Sequence, residues 1–308
     1  MCIMPDMEPT REPATEQSYK ERILRVLVHI QHHLDEAVRL EDLARVAHFS
    51  PYHFHRIFRG MIGESVMDHV RRLRLERAAH RLKFGEQPVT RVAFDAGYET
   101  HEAFSRAFKS MFDETPSGFR ATHRKIPWKP VPSGVHFSAD ADPQDFTPAI
   151  PGATPMEVQI KNVDAITVAF VRHIGPYDQV GTSWNRLMAW ASGQGLLGPR
   201  MKMLGIVHDD PEVTPPEKIR YDACLEVRDG FEPTGEIGVQ QIDAGDYAVT
   251  THQGPYAGLG DTYARLCGEW LPTSGRQIRS APPFEIYRNS PIDTAPESLL
   301  TEIHLPLD

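Results

Sequence analysis

Residues 168–187, VAFVRHIGPYDQVGTSWNRL, return as residues 247–266, YAVTTHQGPYAGLGDTYARL. His173 and His252, Gly175 and Gly254, Pro176 and Pro255, and Tyr177 and Tyr256 each stand 79 positions apart, and Trp184/Tyr263 and Leu187/Leu266 keep that offset. Each copy reads as a strand, a GPY turn and a helix, followed by further strands. Strand-like runs EVQIKNV, AITVAFVRH, KIRYDACLEV, IGVQQI, YAVTTHQ, PFEIYRN and LTEIHLPL are interrupted by helical stretches near 178–194 and 257–273. Residues 155–308 are therefore expected to form an α+β domain built by duplication of a strand-helix-strand unit. Two such copies pair about a pseudo-twofold axis and leave a central cleft, a common place for a ligand.

The N-terminal half has a different period. From Tyr19 to about Arg124 apolar residues return every three or four positions, which specifies helices. The segment LEDLARVAHFSPYHFHRIFRG reads as a helix, a break at His48–Phe49 and a second helix with Ser50 as N-cap and Pro51 in its first turn. Leu43, Val46, Ala47, Phe49, Phe54, Ile57 and Phe58 would pack the pair, leaving Tyr52, His53, His55, Arg56 and Arg59 on the outer face. VTRVAFDAGYETHEAFSRAFKSMFDETPSGFR repeats the arrangement, with Gly97 at the turn and His101, Glu102, Ser105, Arg106 and Lys109 on the free face. Between them SVMDHVRRLRLERAAHRLK is a long helix with a basic side formed by Arg71, Arg72, Arg74 and Arg77. Residues 127–154 read as a proline-rich linker with a short strand at Val135–Phe137, and residues 1–18 as a disordered leader rather than a signal peptide.

Charge divides along the same line. Residues 19–129 carry 20 Lys and Arg against 14 Asp and Glu, and 10 of the 15 histidines. Residues 130–308 carry 12 against 24. A basic helical half suits phosphate, and the acidic half must have another task. Hydrophobic residues at 40% with 24% charged exclude a disordered chain, and no apolar run is long enough to span a bilayer. Cys2, Cys224 and Cys267 are far apart and form no CxxC pair, so no metal or cofactor is expected and a cytoplasmic location is.

The helical half resembles the AraC/XylS family over residues 19–125, most specifically in AFDAGYETHEAFSRAFKSMFDETPSGFR from Ala93. The resemblance implies an all-α DNA-binding domain, residues 19–126, whose two helix-turn-helix units place their second helices in successive major-groove segments. It assigns DNA contacts to Tyr52, His55 and Arg56, then to His101, Glu102, Ser105 and Arg106. Arg56 and Arg106 lead, since a guanidinium grips guanine or phosphate bidentately, and losing a good base contact costs ~1–3 kcal/mol. The C-terminal half resembles the GyrI-like effector-binding domain through HIGPY, EKIRYDAC, GDYAV, PFEIY and LTEIHLPL. That resemblance implies a central ligand cleft, with Glu285 as the ligand-facing acid and Glu302 as the second.

Strand alternation puts Glu285 and Tyr287 on one face of PFEIY, and Ile303 and Leu305 on the core face of TEIHL with Glu302 and His304 opposite. Together with Tyr177, Trp184, Tyr221, Tyr256, Tyr263 and Trp270, these carboxylates suit an aromatic or cationic ligand. The expected function is a transcription regulator whose effector, bound at Glu285, Tyr287, Glu302, Tyr177, Trp184, Tyr221, Tyr256 and Trp270, modulates its action on double-stranded DNA. RNA polymerase is a further expected partner, a membrane is not, and monomer and homodimer both stay open. Two rivals remain: hydrolysis of a reactive small molecule by Glu285 with Tyr287 or Tyr177, or binding of a protein such as gyrase. No GxSxG elbow, HExxH, P-loop or dinucleotide fingerprint is present, so no catalytic residue is assigned and an enzyme is not expected.

Overall fold

Helix-turn-helix geometry follows where the sequence supplies a left-handed residue between two apolar stripes. A computed structural model describes residues 14–122, 125–140, 143–149, 155–198, 201–232 and 235–308. Helix α1 (Ala14–His32) precedes a first unit of α2 (Leu40–Ala47) and α3 (Pro51–Ile62), joined through His48 at φ 52°. Helix α4 (Val66–Phe84) leads to α5 (Val89–Asp95) and α6 (His101–Phe112), joined through Gly97 at φ 83°, and α7 (Pro116–Ala121) closes the half. The second unit's core is Val92, Ala93, Ala96, Phe104, Phe108, Phe112 and Phe119 against Leu75, Ala78, Ala79 and Leu82 of α4. Side-chain caps come from Ser65, Thr100 and Thr115, each accepting from the N–H three residues on. Ser50 occupies the N-cap of α3, but its hydroxyl makes no capping hydrogen bond.

Two expectations for this half change. The guanidiniums of α4 are mostly clasps. Arg72 lies between Glu64 and Glu76, Arg74 donates to the carbonyls of Leu34 and Glu36, and Arg77 to Asp35 and the carbonyl of Asp95. Only Arg71 of the four is largely exposed. The proline-rich stretch also belongs to the helical unit, which covers Lys20–Ala149. Buried Glu76 accepts from the Phe137 N–H at 2.7 Å and lies 3.0 Å from His136 Nδ1, while Ala149 N–H donates to the Met61 carbonyl at 2.7 Å. Residues 135–137 form no strand. The leader falls largely outside the described residues; Ala14–Ser18 are the first turns of α1.

The sheet unit is described from Pro155 onward. It holds β1 (Gln159–Val163), β2 (Ile166–Ile174), α8 (Gly181–Gly193), β3 (Met203–Val207) and β4 (Arg220–Glu226), then β5 (Gly238–Ile242), β6 (Gly245–Gln253), α9 (Leu259–Arg265), β7 (Phe284–Tyr287) and β8 (Leu300–Pro306). The order β1-β6-β8-β7-β3-β4-β2-β5, antiparallel throughout, is symmetric about the β3–β7 pair. The duplication is therefore complete, with the two leading strands exchanged: β1 pairs with β6 of the second copy, and β5 with β2 of the first. Each HxGPY motif is a turn staple. His173 Nε2 lies 3.0 Å from the Pro176 carbonyl and His252 Nε2 3.1 Å from that of Pro255, around glycines at φ 145° and 131°. No helix among the described residues is long and apolar enough to cross a membrane.

Candidate functional site

Strand alternation decides which side chains meet at the symmetry axis. On one face Leu204, Ile206, Cys224, Tyr247, Val249, Phe284 and Ile286 form an apolar layer. On the other Ala169, Val171, Tyr221, Ala223 and Leu225 pack under Leu187 and Ala191 of α8. Glu285 and Tyr287 point to this helix-covered face, as their spacing predicted.

Glu285 is 4% exposed and sits beside the axis. Its Oε1 accepts from Tyr263 OH of α9 at 3.1 Å and its Oε2 from Tyr287 OH at 2.7 Å. The Tyr287 proton being committed, Tyr221 OH donates to Tyr287 OH at 2.9 Å. Burial first, and then the charge of Glu285, push both the Tyr221 and Tyr287 phenols well above their ordinary range. Three further rings meet these two edge-on: Trp184 and Tyr256 against Tyr287 at 5.8 and 5.5 Å, and Tyr177 against Tyr221 at 5.9 Å. Trp184, Tyr256 and Tyr177 are partly exposed, so the site has a wet aromatic rim over a buried acidic floor. The phenols stay neutral donors over the working pH range. A carboxylate in that setting favours a cation with an aromatic body, which both the charge and the ring faces attract.

Six of the eight expected ligand residues are thus brought together: Glu285, Tyr287, Tyr221, Tyr177, Trp184 and Tyr256. Two are not. Glu302 lies opposite Ile286, not Glu285, in the β7–β8 register, so it points to the other face, where Arg288 pairs with it at 2.6 Å. Trp270 lies on a wide turn after α9, and no contact among the described residues joins it to the cluster. Tyr263, named only among the aromatics, makes a direct hydrogen bond to the acid. Gly205 was missed altogether. It faces Glu285 across the β3–β7 pair, and a Cβ there would lie 2.5 Å from the hydroxyls of both Tyr221 and Tyr287. Extending the repeat to MLGIVH and PFEIYR, 80 positions apart, would have aligned it with Glu285.

A second polar cluster on the apolar-layer face was also missed. Buried Asp222 accepts from Arg172 through both oxygens at 2.8 and 2.9 Å, from Gln240 at 2.8 Å, and lies 2.8 Å from His208 Nε2. Burial alone would raise its pKa, but these hydrogen bonds outweigh that and hold the carboxyl far below its usual range. Its duplicate is the Arg288–Glu302 pair. Both clusters are neutralised within themselves and read as structural.

For nucleic acid, α6 presents His101, Glu102 and Arg106 exposed and Ser105 partly so. In α3, His55 and Arg56 are buried and both are engaged in contacts. The side chain of Tyr52 lies outside the described residues.

Comparison with known proteins gives two family matches: a GyrI-like small molecule binding domain over residues 156–308 and a helix-turn-helix domain over 43–122. The chain is 32% identical over 103 residues to the regulatory protein SoxS of Escherichia coli, covering 33% of this chain and 96% of SoxS. It is 29% identical over 155 residues to the "Probable transcriptional regulator YgiV" of the same species, 49% of this chain and 96% of YgiV. To the "Uncharacterized HTH-type transcriptional regulator YbfP" of Bacillus subtilis it is 33% identical over 108 residues, 35% of this chain, and it spans 37% of that protein's length.

Proposed function

This chain belongs to the AraC/XylS family and ends in a GyrI-like small-molecule-binding domain, and from that premise we propose that an aromatic cation seated over Glu285 is its effector. The observation that carries the reading is a buried carboxylate at the duplication axis, held by two phenol donors beneath a partly exposed aromatic rim. Tyr287, Tyr221, Tyr177, Trp184 and Tyr256 supply ring faces and Glu285 the charge. The effector acts on DNA binding by having unequal affinity for two states of the protein. DNA is read by Arg106 with His101, Glu102 and Ser105 of α6, and by Tyr52, His55 and Arg56 of α3. The protein works in the cytoplasm and recruits RNA polymerase at its operator, as a monomer or a homodimer.

Binding without turnover fits the site better than hydrolysis. Both oxygens of Glu285 are already acceptors of tyrosine protons, which weakens it as a base toward water. The test is the melting temperature of the full chain with a cationic rhodamine ester and with anionic fluorescein. Ligand that binds only the folded form raises it by mass action. The rhodamine should stabilise the wild type, fluorescein should not, and Glu285→Gln should abolish the response. Equal stabilisation of the variant would remove Glu285 from the site, and release of the ester's alcohol, lost in Glu285→Gln, would favour the hydrolase.

A further inference from the structure

The proline-rich stretch that follows α7 crosses the helical unit and touches the C-terminal ends of both second helices. Lys129 Nζ donates to the Ser110 carbonyl at 3.3 Å and lies 3.5 Å from Asp113, at the end of α6. The Ala149 N–H donates to the Met61 carbonyl at 2.7 Å, at the end of α3. The last four carbonyls of a helix have no partner within it, so one stretch of chain satisfies such a carbonyl on each helix. Pro132 and Ala149 also crowd Gly63, the left-handed residue that ends α3: a Cβ there would lie 2.9 Å from that of Pro132 and 3.0 Å from that of Ala149. Lys129 and Pro132 are three positions apart, at most about 10 Å of chain, so the two helix ends are tied by a short tether.

What holds this tether down is polar and buried. Glu76 of α4 has no exposed surface; it accepts from the Phe137 N–H at 2.7 Å and from Arg72 at 2.9 Å, and His136 Nδ1 lies 3.0 Å from it. Gln31 of α1, also buried, grips the adjoining backbone, donating to the His136 carbonyl at 2.8 Å and accepting from the Ser138 N–H at 3.1 Å. Arg72 extends the network to Glu64, the residue after Gly63. Trp128 extends it the other way: it stacks on His136 at 5.8 Å and packs with Ile126 on the core of the second helix-turn-helix unit. A carboxylate is costly to bury unless it is paired, and apolar side chains would serve a simple cover as well. A paired polar network does something a cover does not, since it permits one placement of the segment and rejects shifted ones.

We propose that this stretch is a clasp that fixes α3 and α6 relative to each other, and so sets which spacing of two DNA segments the protein accepts, with Glu76 as the positioning residue that locks it. The inference rests on the reading that these two helices contact DNA. Glu76 itself touches no DNA and acts through the clasp. Successive major-groove segments on one face lie about 34 Å apart. When two binding elements are joined, the second contact forms at an effective concentration set by the connection, and it is lost when geometry forbids both at once. A rigid connection also avoids the ordering cost that a loose one meets on binding. A clasped pair therefore grips one spacing tightly, whereas a loosened pair accepts several and grips each less well. Base contacts supply specificity for sequence, and the clasp supplies it for spacing.

The test uses the full chain and an operator selected from random duplexes, its two contacted segments located by footprinting. Affinity for it is compared with affinity for the same operator carrying two extra base pairs between the segments, which turn one segment by about 70° relative to the other. The wild type should lose about 100-fold or more on insertion. In Glu76→Gln and in Lys129→Ala the insertion should cost less than about tenfold, because a looser pair follows the shifted segment. The ratio between the two duplexes is the readout: partial unfolding, or loss of a lysine that meets phosphate, weakens both equally and leaves the ratio unmoved. Lys129 is exposed, so its variant decides the matter should Glu76→Gln lose its helical circular dichroism. An insertion penalty as large in both folded variants as in the wild type would overturn the clasp, as would a wild type indifferent to the insertion. Arg106→Ala reports separately on the reading beneath it: it should weaken binding to both duplexes, and unchanged binding would show that α6 does not contact DNA, whatever the clasp does.

Discussion

Gly205 and Glu285 occupy equivalent places in the two halves of the duplication and face each other across its axis, yet one has no side chain and the other is the acid. The space that Gly205 leaves holds the hydroxyls of Tyr221 and Tyr287, and through them the acid's orientation. Gly205→Ala should cost about 1–3 kcal/mol, as overpacking does, read from urea unfolding. Adding Tyr221→Phe removes one clashing oxygen, so the double variant should lose less than the sum of the two single changes. Strict additivity would show that the strand backs away and the hydroxyls do not feel the methyl. At the same scale His304 gives a pH signature. It stacks on Phe284 at 4.4 Å, and burial lowers its pKa to about 4 against the pull of Glu302 3.4 Å away. The unfolded chain takes up this proton near pH 6.5 and the folded chain only near 4, so stability falls as pH drops through that window. The loss is up to roughly 3 kcal/mol at 1.36 kcal/mol per unit. His304→Leu should flatten the slope between pH 6.5 and 4; an unchanged slope would mean the proton is taken up elsewhere.

Elements were legible where the chain repeats or alternates. The seven strand-like runs match β1, β2, β4, β5, β6, β7 and β8, and both helical stretches are present. Strand β3 was not read, because Leu204–Val207 is a short continuous apolar run buried on both faces and carries no alternation. The long basic side of α4 was misread for a related reason. Charge in a sequence does not say whether its partner is solvent, phosphate or, as for Arg72, Arg74 and Arg77, a neighbouring segment. Capping separates the two N-cap positions experimentally. Thr100→Ala removes a hydrogen bond to the Ala103 N–H and should cost about 1 kcal/mol, whereas Ser50→Ala removes none and should change stability by a few tenths at most. Equal losses in thermal or urea unfolding would contradict this difference.

For the whole molecule, the opposite charge balance of the two halves and the internal repeat together announced a DNA-binding module and a ligand-binding one. The proline-rich stretch was read as a bare linker, because prolines forbid helix and ladder but not packing. Residues 125–140 and 143–149 strap the helical unit through contacts such as Phe137 to Glu76. The cluster at the axis was legible in six residues because strand period and duplication fix where those side chains point. Glu302 failed because register, which decides that it faces Ile286, cannot be read from one strand alone. What ties the two modules into one function is the claim that occupancy over Glu285 changes the protein's grip on DNA. The measurement closest to that claim is the affinity of the full chain for an operator selected from random duplexes, with and without saturating rhodamine ester, at fixed salt. A change of about 5–150-fold in the wild type, the range of ordinary coupling energies, and none in Glu285→Gln is the predicted result. Effector bound at Glu285 with operator affinity unmoved in both proteins would contradict it.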